Sequence, residues 1–469
     1  MPDRRNPRLD ARRIFDAALA AVDPRPAVRR AVSLDGARLK ILGDEFDTET
    51  YGAGVYCVAL GKAARAMAAA LEEVLGGKLR AGVLSATPHG VRLSERWQVF
   101  AGGHPLPNGE SVAAARAAFE LLRRADDTAS LVVFLVSGGG SAMMEWPRDP
   151  SVTLEDLREM NRVLVNCGAA IEEINAVRRA VSAVKGGGLA GAAPRAAQVT
   201  LIVSDTGDAG GRAVASGPTF TSDASRDVRE AVSTVRRYDL AARLPPPVLR
   251  SLELPREDPK AGARHPALAP ALPHASAQEG PPRRHHVLLD NSHAAEAAAD
   301  AARALGYAVE VARDIADQHV EEGARLLVSR LLALRARERG RAVCQVSGGE
   351  FACPVLGGGR GGRSGETVLR CALELERLAA DDGRFAQAAP GGPRFVVLGA
   401  GTDGVDGNSP AAGAVCDETT VSRAHSRGLD PRRHLEASDA YGFFSALGDA
   451  VETGPTGTNV RDLRILLAS

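Results

Sequence analysis

What this chain has little of narrows its class before any motif is read. No apolar stretch approaches the ~20 residues of a membrane-spanning helix, and the N-terminus MPDRRNPRLDARR is charged with no apolar run behind it. Neither a transmembrane span nor a signal peptide is therefore expected, and the expected compartment is the cytoplasm. Net charge is also missing: 58 Lys and Arg balance 58 Asp and Glu, which leaves no overall field to draw in nucleic acid or a membrane surface. The cysteines Cys57, Cys167, Cys344, Cys353, Cys371 and Cys416 form no C-x-x-C pair, which fits reduced, mostly buried thiols better than a disulfide framework or a zinc site. No H-E-x-x-H pair is present, so a zinc hydrolase has no support. Gly139-Gly140-Ser141 runs on into Ala142-Met143 rather than completing G-x-S-x-G, which disfavours a hydrolase elbow. Lysine itself is scarce. Only Lys40, Lys62, Lys78, Lys185 and Lys260 occur, and where Arg is so favoured, a Lys in a Gly-rich turn reads as a chemical choice.

At 469 residues the chain exceeds what one core usually supports. Strand-length apolar runs alternate with helical patterns almost throughout, which predicts an α/β fold of two domains, each a mainly parallel sheet flanked by helices. Strands are predicted at Val55–Leu60, Ala81–Ala86, Gln98–Ala101, Leu131–Val136, Gln198–Val203, His286–Leu289, Ala308–Val311, Ala342–Val346 and Arg394–Leu398. From Leu244 to Arg284 fall ten of the 27 prolines, a break that predicts a linker. The expected domains are then residues 1–243, with residues 1–40 free to pack on the other domain, and residues 285–469, joined by a Pro-rich linker over 244–284.

Two of the strands spill into Ser-Gly-Gly turns, Ser137-Gly138-Gly139-Gly140-Ser141 and Ser347-Gly348-Gly349-Glu350, where successive main-chain N–H groups can converge on an anion. Gly61-Lys62 stands where a strand meets a helix, a place that favours anions, although a solvated surface Lys would look the same. It is not a Walker A loop, because Tyr56 and Ala63 occupy positions that need Gly and Ser or Thr. Gly357-Gly358-Gly359-Arg360-Gly361-Gly362 matches G-x-G-x-x-G but follows Cys353-Pro354 instead of a strand. A phosphate-covering loop carrying Arg360 and Arg363 suits it better, with a plain glycine linker as the bland alternative. Asp403 and Asp406 lie three residues apart in a tight turn after a strand, and Asp205 and Asp208 repeat the arrangement. Such carboxylates can hold Mg2+ or accept a hydroxyl proton, and Asx-turns use the same residues with no metal. Asn175, Arg178 and Lys185 end a helix with polar and cationic groups, which fits either a structural cap or recognition of a small carboxylate or phosphate.

Taken in order, the motifs resemble the class II glycerate kinases, whose C-terminal part is called the MOFRL domain. The matching segments are LGKAA from Leu60, GGHPLPN from Gly102, VSGGGSAMM from Val136, NAVRRAVSAVKGGGLA from Asn175, SDTGDAGGRAVASGPT from Ser204, DNSHAAEAA from Asp290, VSGGE from Val346, GRGGR from Gly359, GTDGVDG from Gly401 and GPTGTNVRDL from Gly454. The resemblance implies ATP- and Mg2+-dependent phosphorylation of D-glycerate, most often at the 2-hydroxyl. It also implies a Rossmann-like larger N-terminal domain, a MOFRL-type C-terminal domain and a site in the cleft between them. Carried over by position, Lys62 and Arg363 become the cationic catalytic residues and Asp205 the base or metal-positioning carboxylate. Ser137, Gly138, Gly139, Gly140, Ser141, Asn175, Arg178, Lys185, Ser347, Gly348, Gly349, Glu350, Gly361 and Gly362 become substrate or phosphate contacts. Asp205, Asp208, Asp403 and Asp406 become metal-side carboxylates.

Three positions depart from the family pattern: Ser364 stands where Asn is usual, Gly188 where Arg is usual, and Thr206-Gly207-Asp208-Ala209 where VPGD is usual. The last leaves open which of Asp205 and Asp208 works. Family members are sometimes labelled hydroxypyruvate reductase, so an NAD(P)H-dependent reductase is one alternative. A non-catalytic small-molecule or nucleotide-binding regulator is another. The expected partners are D-glycerate and ATP, with no nucleic acid and no membrane, and homo-oligomerisation is left open.

Overall fold

The run Val55–Leu60 is buried at every position, as are Leu131–Ser137 and Ala197–Val203. Parallel strands covered by helices have no solvated face, so each reads as a continuous apolar stretch. In the computed structural model, which describes residues 6–52, 54–207, 210–253, 280–381 and 395–469, all nine predicted strands form. Contacts divide the chain into two compact units, Pro24–Leu288 and Met1–Asp23 with Leu289–Ser469.

In the unit Pro24–Leu288, six strands lie in the order Trp97–Ala101, Leu79–Ala86, Val55–Leu60, Leu131–Ser137, Ala197–Val203, Arg283–Leu289. The first five are parallel neighbours. Numbered along the chain this order is 3-2-1-4-5-6, the doubly wound order whose reversal lies between strands 1 and 4. Helices Ala64–Leu75 and Gly109–Asp127 pack on this sheet, the second opened by a reciprocal cap between Asn108 and Ser111. Helices Leu154–Val165, Ile171–Val181, Ala224–Arg237 and Pro246–Glu253 build a second core around Leu157, Val177, Leu240 and Val248. A small antiparallel sheet, Val32–Asp35, Arg38–Ile41 and Asp44–Asp47, joins them; its alternating pattern is too short to stand out in the sequence.

The other unit has the order Ala308–Val311, Val343–Gly349, Asp462–Ala468, Phe395–Gly401, Gly413–Asp417, Ala450–Val451. Only the first pair is parallel; the remaining pairings are antiparallel. The sheet is therefore mixed, where helix–strand alternation predicted a mainly parallel one. Part of the difference arises because the final apolar run, LRILLA, threads antiparallel between Val343–Gly349 and Phe395–Gly401, which would otherwise be parallel neighbours.

The units divide the chain at Leu288/Leu289 where 243/285 was expected, and Met1–Asp23, within the 1–40 segment left free to pack on the other domain, groups with Leu289–Ser469. Helix Pro7–Ala21 buries Ile14, Phe15 and Ala18 and packs on helix Asn291–Ala304 and strands Phe395–Gly401 and Asp462–Ala468. Its Arg8 bonds Asp417 at 2.5 Å and Asp449 at 2.7 Å, and Tyr307 donates to Asp10 at 2.8 Å. Within the expected linker, Pro246–Glu253 is helical and Arg283–Leu289 is a strand of the first sheet; residues 254–279 lie outside the described ones. All six cysteines are free thiols, four of them buried. No helix among the described residues is long and apolar enough to cross a membrane.

Candidate active site

The strand-order reversal in the first unit puts the C-terminal ends of Val55–Leu60 and Leu131–Ser137 side by side, with Leu60 opposite Val136. In doubly wound sheets ligands bind at this crevice. Gly61-Lys62 leaves one strand and Ser137-Gly138-Gly139-Gly140-Ser141 leaves the other. The turns are tied together: Lys62 N–H donates to Gly138 O at 2.8 Å, and Ser137 Oγ accepts from Ala63 N–H at 3.0 Å.

Two glycines make room for the side chains gathered there. A Cβ on Gly138 would collide with the carboxylate of Asp205, which follows the next strand, Ala197–Val203. Gly139 has φ +81°, and a Cβ there would stand 3.0 Å from His104 Cδ2 and 3.3 Å from Lys62 Cγ. Lys62 and Asp205, catalytic by the family resemblance, thus lie at one turn, together with a histidine the sequence did not single out. Asp208 lies outside the described residues.

Behind the turn runs a chain of hydroxyl and amide groups. Ser141 Oγ lies 3.2 Å from Ser216 Oγ, which donates to Asn175 Oδ1 at 3.0 Å. Ala215 and Ser216 are held at φ +51° and +60°, a local strain that persists only where the surroundings over-determine it.

Arg178 and Lys185 take a different place. Lys185, 1% exposed, pairs with Glu145, which also accepts from Ser182 Oγ and, at 2.9 Å, from Trp146 N–H. Burial pulls the Lys185 ammonium below its usual range against the opposing pull of Glu145, and burial likewise lowers Arg178, whose charge is felt at the same carboxylate. Arg178 itself is half-buried and donates to Asn161 at 2.9 Å. Lys185 is an interior ion-pair partner in this structure and presents no surface to a ligand.

In the other unit, Arg363 opens helix Arg363–Asp381 and is gripped by two carboxylates, Asp462 at 2.7 Å and Glu350 at 2.6 Å. Register explains the pair: Gly349 lies opposite Asp462, so Glu350 follows directly beside it. The first Ser-Gly-Gly residues serve the fold. Ser347 Oγ donates to Ile315 O at 2.6 Å, and Gly348 O accepts from buried Arg464. Asn291 fastens the last strand by donating to Val460 O and Asp462 O at 2.7 and 3.0 Å.

The glycine loop is pinned, neither an open cradle nor a loose linker. Gly359 N–H donates to Ala437 O at 2.8 Å, Arg360 N–H to Asp439 at 2.9 Å and Gly361 N–H to Asn408 Oδ1 at 2.8 Å. Gly362 O accepts from Glu366 N–H as the helix begins. It also fails as a dinucleotide fingerprint, since the preceding strand ends at Gly349.

The two aspartates of GTDGVDG separate in role. Both oxygens of Asp406 are spent on Ser364 N–H at 3.0 Å and Gly365 N–H at 2.8 Å, which makes it the N-terminal cap of the Arg363 helix. Burial pushes this carboxyl up to about 7, with Asp462 adding to the rise. Asp403 Oδ1 accepts from Val405 N–H at 3.1 Å, an Asx-turn. Among the described residues no group of three or more His, Cys, Asp or Glu side chains could hold a metal ion. Mg2+ in phosphoryl-transfer sites takes one or two carboxylates, with substrate phosphates completing the shell. Half-buried Asp205 fits such a donor set, and so does Asp403; Asp406 does not.

Comparison with known proteins agrees over nearly the whole chain. A family model described as "Domain of unknown function (DUF4147)" matches residues 10–253, and the MOFRL family model matches residues 343–462. The chain is 36% identical to the glycerate kinase of Homo sapiens, over 97% of this chain and 92% of that protein. It is 31% identical to the glycerate 2-kinase of Pyrococcus horikoshii, over 97% of this chain and 96% of that one. The crystal structure of glycerate kinase from Thermotoga maritima superposes with a TM-score of 0.75 at 28% identity, covering 97% of this chain and 98% of that chain.

Proposed function

The chain belongs to the glycerate kinase family that carries a MOFRL domain, and we propose that it transfers the γ-phosphoryl group of ATP to the 2-hydroxyl of D-glycerate. The observation that carries the reading is the meeting of Lys62 and Asp205 at the Gly138-Gly139 turn of the strand-order switch point. Phosphoryl transfer needs positioning and charge neutralisation far more than a protein nucleophile, and that is what the turn offers.

In the proposed reaction the 2-oxygen forms a bond to the γ-phosphorus as the bond to the β-bridging oxygen breaks, releasing ADP. The hydroxyl proton passes to the Asp205 carboxylate. Lys62 neutralises charge on the transferring group; Arg363, a catalytic cation by the family resemblance, can exchange part of its hold on Glu350 and Asp462 for phosphate oxygens. With Asp205 as the base, Mg2+ held through Asp403 would supply further neutralisation of the phosphates.

The test is ADP release from purified protein given ATP, Mg2+ and D-glycerate, with the product identified by NMR. Formation of 2-phosphoglycerate is expected; 3-phosphoglycerate would move the acceptor hydroxyl, and no ADP above background would overturn the reading. NADH oxidation with hydroxypyruvate in the absence of ATP would favour a reductase instead.

A further inference from the structure

The GGHPLPN segment, Gly102 to Asn108, follows strand Trp97–Ala101 and has no part in the roles assigned so far. Its loop is firmly tied. Asn108 Nδ2 donates to Ala101 O at 2.9 Å, and Ser111 Oγ accepts from Gly103 N–H at 3.0 Å and Asn108 N–H at 3.1 Å. Pro107 O accepts from Arg158 Nε at 2.8 Å. Fixed at both ends, the loop presents an exposed imidazole, His104, across the bare face of Gly139 from Lys62. A Cβ on Gly139 would stand 3.4 Å from His104 Nε2 as well, so the braced loop sets a ring N–H and the Lys62 stem on the same glycine.

We propose that His104 is a specificity-determining residue that donates a hydrogen bond to the carboxylate of the acceptor, an inference that rests on the kinase reading above. Three chemically different groups then surround the Gly138-Gly139 turn. Asp205 takes the hydroxyl proton, Lys62 meets the phosphoryl group, and His104 holds the acceptor's anionic end. An imidazole suits that third task because it offers a directional N–H without adding a permanent charge beside Lys62. It would also let the site tell glycerate from an uncharged polyol of the same length, because the carboxylate gains a charge-assisted bond that a hydroxymethyl group cannot match.

The test compares wild type, His104→Ala and His104→Gln with D-glycerate and with glycerol as acceptors. His104→Ala should raise the KM for D-glycerate about 10- to 100-fold, the range that a hydrogen bond to a charged group carries, while the KM for ATP stays within about 2-fold. The preference for D-glycerate over glycerol should narrow by a similar factor, and His104→Gln, which keeps a neutral N–H donor, should recover part of both. A rise in the ATP KM alone, or an unchanged glycerate-to-glycerol ratio, overturns the assignment. Failure of the kinase reading shows separately, as wild-type protein that yields no ADP.

Discussion

The buried pair Lys185–Glu145 gives the sharpest test of whether burial or composition is the better guide to a residue's role. Both side chains are nearly inaccessible, 1% and 3% exposed, and Glu145 additionally satisfies Ser182 Oγ and Trp146 N–H. Removing one partner of such a pair strands the other charge in the interior, at a cost of about 3–5 kcal/mol. At ~2–4 °C per kcal/mol for a unit of this size, Lys185→Met should lower the melting temperature by roughly 10 °C. Glu145→Gln should cost a similar amount, since Gln keeps an acceptor for Ser182 and Trp146 but leaves Lys185 without its counter-charge. The double variant removes both charges and should melt well above the sum of the single losses, with a coupling of about 1–3 kcal/mol. Thermal unfolding of the full chain by circular dichroism reads these shifts, and ADP release below the transition reads activity in parallel. If Lys185→Met melts within about 2 °C of wild type yet loses D-glycerate turnover, Lys185 contacts substrate and the burial argument is wrong.

Three further outcomes are expected. Arg363→Ala should lower kcat by about 10³-fold or more, the scale for a cation that stabilises a transferring phosphoryl group, with Arg363→Lys recovering little because one ammonium cannot span Glu350 and Asp462; single-turnover kinetics check it. Gly138→Ala should cut turnover at least 10²-fold by displacing Asp205 from the turn, and an intact melting curve beside normal turnover would refute the close approach. Burial pushes the Asp406 carboxyl up to about 7 in the folded chain from its ordinary 3.8, so the folded protein binds that proton more tightly. Its stabilising contribution is complete below pH ~4 and is lost as pH rises through ~7; urea midpoints should fall across that window in wild type and fall less in Asp406→Asn.

The strands were legible because burial on both faces writes itself into consecutive apolar residues, as in VYCVAL and LVVFLV. Sheet order was not, because no local pattern records which strands become neighbours. Yet order decides the site: in the 3-2-1-4-5-6 arrangement strands 1 and 4 are parallel neighbours, which brings the turn after Leu60 beside the turn after Val136. Motif reading therefore found Lys62 and Ser137–Ser141 separately, and topology joined them. Glu145 left a faint signal, an acidic residue between Met144 and Trp146 in an apolar stretch, whereas Asn408 and Asp462 act on partners too distant along the chain for spacing to reveal.

The aspartates of GTDGVDG show how equal spacing hides unequal roles. Three residues apart, they read as a matched metal pair, but Asp403 turns back on its own loop while Asp406 reaches a helix start 42 residues upstream. The lysines make the same point from composition. Lys40 and Lys78 sit at the surface near Glu45 and Glu49, and the two that rarity singled out, Lys62 and Lys185, end in opposite surroundings. One lines a glycine turn beside a half-buried carboxylate, and the other is sealed into an ion pair. Scarcity of lysine does not by itself assign a role: whether an ammonium answers to a ligand, to a buried carboxylate or to water depends on solvent access, a property of the folded chain alone.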